Sequence, residues 1–166
     1  MTVPQILAEL APMRVGRVVV TGGEPLTQRE TVPLLTALVA AGYTVEVETN
    51  GTRPPPDVDV QWNVSPKLAH SGVVASKRIK PRALTGMILA GAVFKFVAES
   101  ATDLDEVADI VAAHSIPADS VWVMPEGVTG EGVATATREI GPAVVDKGWN
   151  LSTRLHVLVW GDERGN

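Results

Sequence analysis

Chemistry-bearing residues recur at four points of this sequence, each just after a short apolar run: Thr21 with Glu24, Glu48 with Asn50, Ser65 with Lys67, and Glu126. The first point carries the most information. Arg17-Val18-Val19-Val20 is a β-branched run suited to a buried parallel strand, and it breaks on Gly22-Gly23, followed at once by Glu24-Pro25. Paired glycines let a backbone turn with positive φ and approach a ligand closely. A carboxylate beside exposed backbone suits an ammonium group. Open α/β sheets and barrels place their ligands at the carboxyl ends of the strands. Four successive polar strand ends therefore point to one ligand groove, although polar residues are also what any loop shows.

The other titratable residues are less directive. No nucleophile–base pair stands out among His70, His114 and His156. His70 follows Ser65-Pro66-Lys67 and is placed to approach the groove, while His114 reads as a surface residue near a helix end. His156 alternates with apolar neighbours, so it either points into a site or makes a core hydrogen bond. Lys77, Arg78, Lys80 and Arg82 form a basic cluster with no interleaved aromatics, which reads as a solvated loop rather than a nucleic-acid patch. No helical metal motif and no phosphate loop are present.

The elements that must position these groups alternate. The sequence predicts a helix over residues 1–13, capped by Thr2 with Pro4 in its first turn, and a strand at 18–20. Thr27-Gln28-Arg29-Glu30 has the form of a capping box opening the next helix, and Gly42 stops that helix. Strands are predicted at 43–48 and 58–64, joined across Arg53-Pro54-Pro55-Pro56, followed by a polar loop to Lys80. A helix at 83–90, a strand at 93–97, a helix opening at Thr102-Asp103 and a strand at 121–124 come next. A helix over 131–147, interrupted at Gly141-Pro142, precedes a last strand over 151–160. Six strands alternating mostly with helices give an α/β class with a parallel sheet in a single domain over 1–166. An open, partial (βα) barrel and a flat doubly wound sheet both fit.

Composition narrows the function classes. With 166 residues, 45% apolar and 20% charged, the chain has enough material for a real core. A net charge of −5 argues against a general nucleic-acid or membrane-surface binder. No apolar run reaches spanning length and no signal peptide opens the chain, so a cytoplasmic protein is expected. The cysteine count is 0, which excludes disulfides, thiolate nucleophiles and cysteine-ligated iron–sulfur clusters within these residues.

Taken together, Thr21-Gly22-Gly23-Glu24-Pro25-Leu26, Glu48-Thr49-Asn50-Gly51-Thr52 and Ser65-Pro66-Lys67 resemble the motifs of radical S-adenosylmethionine (SAM) enzymes. Within them the chain is similar to the 7-carboxy-7-deazaguanine synthase family. Val123-Met124-Pro125-Glu126-Gly127 and the terminal stretch from Arg154 to Gly165 extend the likeness to nearly the whole chain. The resemblance implies a partial, open parallel (βα) barrel of the radical SAM type. It also implies a lyase-type ring contraction of 6-carboxy-5,6,7,8-tetrahydropterin to 7-carboxy-7-deazaguanine with release of ammonia, on the pathway to queuosine and other 7-deazapurines. The family uses SAM, a [4Fe-4S] cluster that cleaves it and magnesium, and it is typically homodimeric.

By position, the resemblance assigns Gly22, Gly23 and Glu24 to the amino-acid part of SAM and Glu48 to its ribose. Ser65, Pro66 and Lys67 would flank SAM, with Lys67 meeting its carboxylate, and Met124, Pro125 and Glu126 would pack near its adenine. Thr21, Arg154 and His156 would face the pterin substrate. One departure is large. The family holds its cluster with cysteines spaced CxxxCxxC in a loop that precedes the glycine pair, followed by a threonine expected to help bind magnesium. Here sixteen residues precede Arg17, read as the helix after that loop, and no cysteine occurs anywhere. The expectation is a barrel missing its first strand, from an amino-terminally truncated synthase that is inactive alone. The alternatives are a non-catalytic SAM- or pterin-binding module and a structural partner of a chain that supplies the missing strand and cluster loop.

Overall fold

The computed structural model describes residues 1–161. Residues 162–165, the end of the terminal motif, lie outside the described residues. Six strands follow one another in the sheet in sequence order: β1 (Arg17–Val20), β2 (Thr44–Thr49), β3 (Gln61–Val64), β4 (Val93–Ala98), β5 (Val121–Pro125) and β6 (Asn150–Leu151). The helices are α1 (Val3–Leu10), α2 (Thr31–Ala40), α3 (Ala75–Arg78), α4 (Pro81–Leu89), α5 (Ala101–His114), α6 (Gly130–Asp146) and α7 (Leu155–Trp160). This is the expected open parallel α/β sheet. The chain divides into two compact units, one of Met1–Val64 with Lys80–Ala92 and the other of Ser65–Ile79 with the residues from Val93 onward.

In the first unit, β1 pairs with β2 and β2 with β3, both parallel, with Val19 opposite Glu46 and Glu48 opposite Asn63. Strand alternation sorts these residues by face. Val45, Val47, Thr49, Trp62 and Val64 are buried together with Leu35 and Leu38 of α2 and Leu84 and Met87 of α4. The opposite face carries Arg17, Glu46, Glu48 and Asn63. There Glu46 accepts from Arg17 Nη1 at 2.6 Å and from Asn63 Nδ2 at 3.0 Å. A parallel sheet normally has both faces covered by apolar layers. A half-exposed polar face is where such a sheet leaves room for a ligand.

The second unit repeats this division. Phe94, Phe96, Ala98, Val121 and Val123 are buried with Leu104 and Val107 of α5 and with Val133, Ile140 and Val144 of α6. Lys95, Val97, Glu99, Trp122, Met124 and Glu126 alternate with them and remain at least partly exposed.

Local differences from the sequence reading have identifiable causes. Thr27 does not cap a helix. Residues 25–27 form a 3-10 turn, the Thr27 hydroxyl donates to the Glu24 carbonyl at 2.7 Å, and α2 begins at Thr31. The strand expected from Val58 is confined to Gln61–Val64. Pro142 does not interrupt α6, because Ile140, Gly141 and Val144 are buried and hold the helix through the missing amide hydrogen bond. The long last strand is also not formed. β6 is only two residues long, and Leu155–Trp160 is helical with Val157 alone buried, so His156 lies exposed on a helix. Apolar residues at every second place do not exclude a single helical turn and a half, and Ser152-Thr153-Arg154 breaks the run.

Gly51, in the turn after β2, has φ +73°, and a Cβ there would lie 2.6 Å from Val64 Cγ1. Left-handed backbone and a core clash then act together, at about 1–2 kcal/mol for the first and about 1–3 for the second. Gly51→Ala is expected to lower the thermal midpoint by roughly 5–15 °C, and a scanning-fluorimetry midpoint equal to wild type would contradict this placement.

Candidate functional site

The glycine pair sits just past the end of β1, exposed, and a Cβ on Gly22 or Gly23 would meet nothing within 4 Å. The backbone there is open to a ligand rather than packed. The Glu24 side chain, by contrast, is engaged within the protein. Its Oε1 accepts from Leu26 N at 3.1 Å, its Oε2 accepts from Asn50 N at 2.8 Å, and the Thr49 hydroxyl lies 2.8 and 2.9 Å from the two oxygens. A carboxylate offers about four acceptor positions, and here three donors meet it: one amide on each oxygen, and the Thr49 hydroxyl, whose single proton lies between the two. The side chain therefore fastens the loop after β1 to the end of β2. Thr49 is 4% exposed, and its oxygen also accepts from Gly51 N at 3.2 Å. Asn50 Oδ1 accepts from Thr52 N at 2.9 Å, completing the turn. The Thr31 hydroxyl donates to the Pro25 carbonyl at 2.5 Å and ties the same loop to α2.

Thr21, Gly22, Gly23 and Glu24 line an open cavity of about 840 Å³, together with Met1–Pro4 and Ile6 at the start of the chain and Pro33 and Leu34 of α2. Glu48 does not line it. It stands half-buried on the polar face of β2.

A cavity of about 450 Å³ in the second unit is lined by Ser65, Pro66, Lys67, His70, Met124, Glu126 and Arg154, among others. Six of the predicted site residues thus meet there. Pro125 is buried beside it in sequence, and His156 does not line it. Arg154 Nη1 donates to the Gly127 carbonyl at 2.7 Å, which fixes the turn that carries Glu126. A Cβ on Gly127 would meet Val133 N at 2.9 Å, so this turn is packed against the start of α6. Arg154 Nε is buried with no partner, a donor that suits an acceptor on a ligand.

His70, Glu99 and Asp103 bring one ligand atom each within 4.8 Å, the metal-capable group found among the described residues. The Asp103 carboxylate is already engaged, since its Oδ2 accepts from Glu99 N at 2.7 Å and Ser100 N at 3.3 Å and lies 3.2 Å from His70 Nδ1. Capping of α5 accounts for that arrangement. Sequence reasoning missed Arg78. It is not part of a solvated cluster but is buried, 8% exposed.

The comparisons give this geometry a family. No protein-family model matches the chain. A protein of Pyrobaculum aerophilum named 7-carboxy-7-deazaguanine synthase is 41% identical over 171 residues, covering 99% of this chain and 75% of its own. One of the same name from Rhodopirellula baltica is 30% identical, covering 99% of this chain and 69% of its own. Among solved structures, QueE from Escherichia coli superposes with a TM-score of 0.70 at 20% identity, over 93% of this chain and 64% of QueE. Streptococcus suis SuiB, solved bound to S-adenosylmethionine, gives 0.66 at 15% identity, over 96% of this chain and 44% of SuiB. The fold is the open parallel sheet of the radical SAM type. Within it, the chain belongs to the 7-carboxy-7-deazaguanine synthase family.

The Glu24–Thr49 contact has a measurable consequence. Thr49→Val keeps shape and removes the one hydroxyl that reaches both oxygens, so it should destabilise by about 1–3 kcal/mol. A double-mutant cycle with Glu24→Gln in chemical denaturation should give a coupling above about 0.5 kcal/mol, whereas additive losses would show that the two side chains do not hold each other.

Proposed function

We propose that these residues are the SAM- and pterin-binding part of a 7-carboxy-7-deazaguanine synthase, and that the chain alone does not initiate the radical reaction. The reaction is the ring contraction of 6-carboxy-5,6,7,8-tetrahydropterin to 7-carboxy-7-deazaguanine with loss of ammonia. The observation that carries this reading is the open backbone at Gly22-Gly23, held by a buried hydrogen-bonded brace that a plain surface turn would not need.

SAM, when bound and cleaved, supplies a 5′-deoxyadenosyl radical that abstracts a substrate hydrogen. Toward SAM, Gly22 and Gly23 offer backbone to its amino-acid part, and Glu24 keeps that backbone in place. Glu48 accepts from the ribose hydroxyls. Ser65 and Pro66 flank the ligand, and Lys67 meets its carboxylate. Met124, Pro125 and Glu126 take the adenine. Thr21, Arg154 and His156 are assigned to the pterin, and the unpartnered Arg154 Nε supports its place in that set.

The cluster does not fit these residues. Its ligands are thiolates, the chain has 0 cysteines, and the metal-capable group among the described residues offers only an imidazole and two carboxylates, one of which, Asp103, caps α5. The threonine expected to meet magnesium follows those absent cysteines. No step through either group is assigned to this chain.

One observation favours a completing partner. β1 is a terminal strand of the sheet, Val19 beside its free edge is 50% exposed, and no residue of α1 is buried although Ile6, Leu7 and Leu10 form an apolar face. An unpaired strand edge of this kind is a template for another strand. A homodimer or a partner chain bearing the strand and the cluster loop would cover it. No helix of the described residues is long and apolar enough to cross a membrane, and a cytoplasmic place agrees with that.

Titration calorimetry of the purified chain with SAM tests the binding claim. Measurable saturable binding is expected, weakened about tenfold or more in Lys67→Ala, Glu24→Ala and Thr49→Val. A wild-type chain with no detectable heat over the accessible range would refute it. Anaerobic reconstitution with iron and sulfide should leave no cluster absorbance on this chain, and a stable chromophore would overturn the argument from its missing thiolates.

A further inference from the structure

The loop from Lys67 to Val73 forms one wall of the second-unit cavity, yet it contains no strand and only one 3-10 turn, Ala69–Ser71. An irregular backbone that must present side chains at a fixed place needs partners for its polar groups. Arg78 supplies them. Its Nε donates to the Val73 carbonyl at 2.9 Å, its Nη1 donates to the Lys67 carbonyl at 2.9 Å, and its Nη2 lies 2.6 Å from Glu106 Oε1. Glu106 in turn accepts from Ala69 N through Oε2 at 2.8 Å. Two side chains therefore hold the loop at three points, and Lys67, Leu68, His70 and Ser71, all lining the cavity, lie within the anchored span.

We propose that Arg78 and Glu106 are positioning residues that set Lys67 and His70 on the cavity wall, and through them the affinity of that cavity for its ligand. The inference rests on the reading of Lys67 as the group that meets the carboxylate of SAM. The geometry requires arginine at this place. Three donors in a planar fork reach two carbonyls and one carboxylate at once, which an ammonium on a flexible stem does not reproduce. Burial makes the arrangement all-or-none, since a guanidinium out of water must have its partners or move. Glu106 is anchored on α5, whose Leu104 and Val107 are buried in the core, so the loop is referred to the rigid part of its unit.

The test compares wild type with Arg78→Lys, Glu106→Ala and Glu106→Gln, by hydrogen exchange of residues 67–73 and by calorimetry with SAM. Arg78→Lys and Glu106→Ala should speed exchange of the Ala69 amide and its neighbours by about tenfold or more, with β4 and β5 keeping their protection. The same variants should raise the dissociation constant for SAM by about tenfold or more. Glu106→Gln keeps one acceptor and sets an NH2 against the other donor, so it should fall between wild type and Glu106→Ala in both readouts. Unchanged exchange in Glu106→Ala and Arg78→Lys overturns the bracket. Loosened exchange with unchanged SAM affinity overturns the positioning role. If Arg78→Lys does not fold, Glu106→Ala decides alone, because loop exchange, protection of β4 and β5 and SAM affinity are then read on one folded protein. A wild-type chain that takes no SAM overturns the proposed function and not the bracket, which exchange of the loop then decides.

Discussion

The candidate site of the first unit depends on one interaction, the carboxylate of Glu24 held by the Thr49 hydroxyl and the Asn50 amide. β1 ends at Val20, and the chain must pass two glycines before it is anchored again. Glycine imposes little on its own backbone, so the loop's shape has to come from outside it. Leu26 N closes the loop on one side of Glu24, and β2 holds it on the other. Hydrogen bonds to an ionised acceptor are about twice as strong as neutral ones. With Thr49 buried and Glu24 half-buried, the brace keeps the glycine backbone in place while leaving its outer side bare.

The same solution recurs in the second unit. Glu106 accepts from Ala69 N, and Asp103 accepts from Glu99 N and Ser100 N. In each case a carboxylate at the ligand edge serves backbone amides. Glu24, Glu106 and Asp103 thus act on the positions of loops, while Glu99 and Glu126 line the second-unit cavity beside Lys67 and Arg154, whose Nε has no partner. This division is physically sensible for SAM or any other zwitterionic ligand. A carboxylate already holding two or three donors gains less from an ammonium than a free one would, but it fixes geometry better.

Much of this was legible in the sequence. The β-branched and apolar runs located the first five strands, because a buried parallel strand needs residues of that kind along its length, while the sixth was placed over residues that are mostly helical. Motif positions at strand ends were also legible, since Gly, Asn and Pro mark where pairing stops. What escaped was set by tertiary contact. The helical turn at Leu155–Trp160 has the apolar, partly β-branched composition of a strand, and only the departure of the chain after β6 distinguishes them. Pro142 is tolerated because its neighbours are buried. Arg78 sits among Lys77, Lys80 and Arg82 with nothing local to mark it, and its partner Glu106 is 28 positions away in the chain. The direction of the Glu24 side chain was likewise invisible. Its partner Thr49 looked like an ordinary strand residue, and only packing shows that its hydroxyl is buried against a carboxylate.

Binding SAM and cleaving it place different demands on a protein, and the proposed function for this chain turns on that difference. Binding needs shaped backbone and a few fixed charges, which hydrogen bonds within each unit supply. Cleavage needs an electron delivered through thiolate-held iron, and no arrangement of His, Asp and Glu substitutes for soft sulfur ligands at a [4Fe-4S] cluster. The braces described above do not depend on the cluster: every donor and acceptor in them belongs to the described residues. A loop whose shape is fixed in advance lowers the ordering cost that a ligand would otherwise meet. Under the proposed function, Thr49, Arg78 and Glu106 would then bear on SAM affinity as much as the residues that would touch the ligand, because they fix the loops that carry those residues.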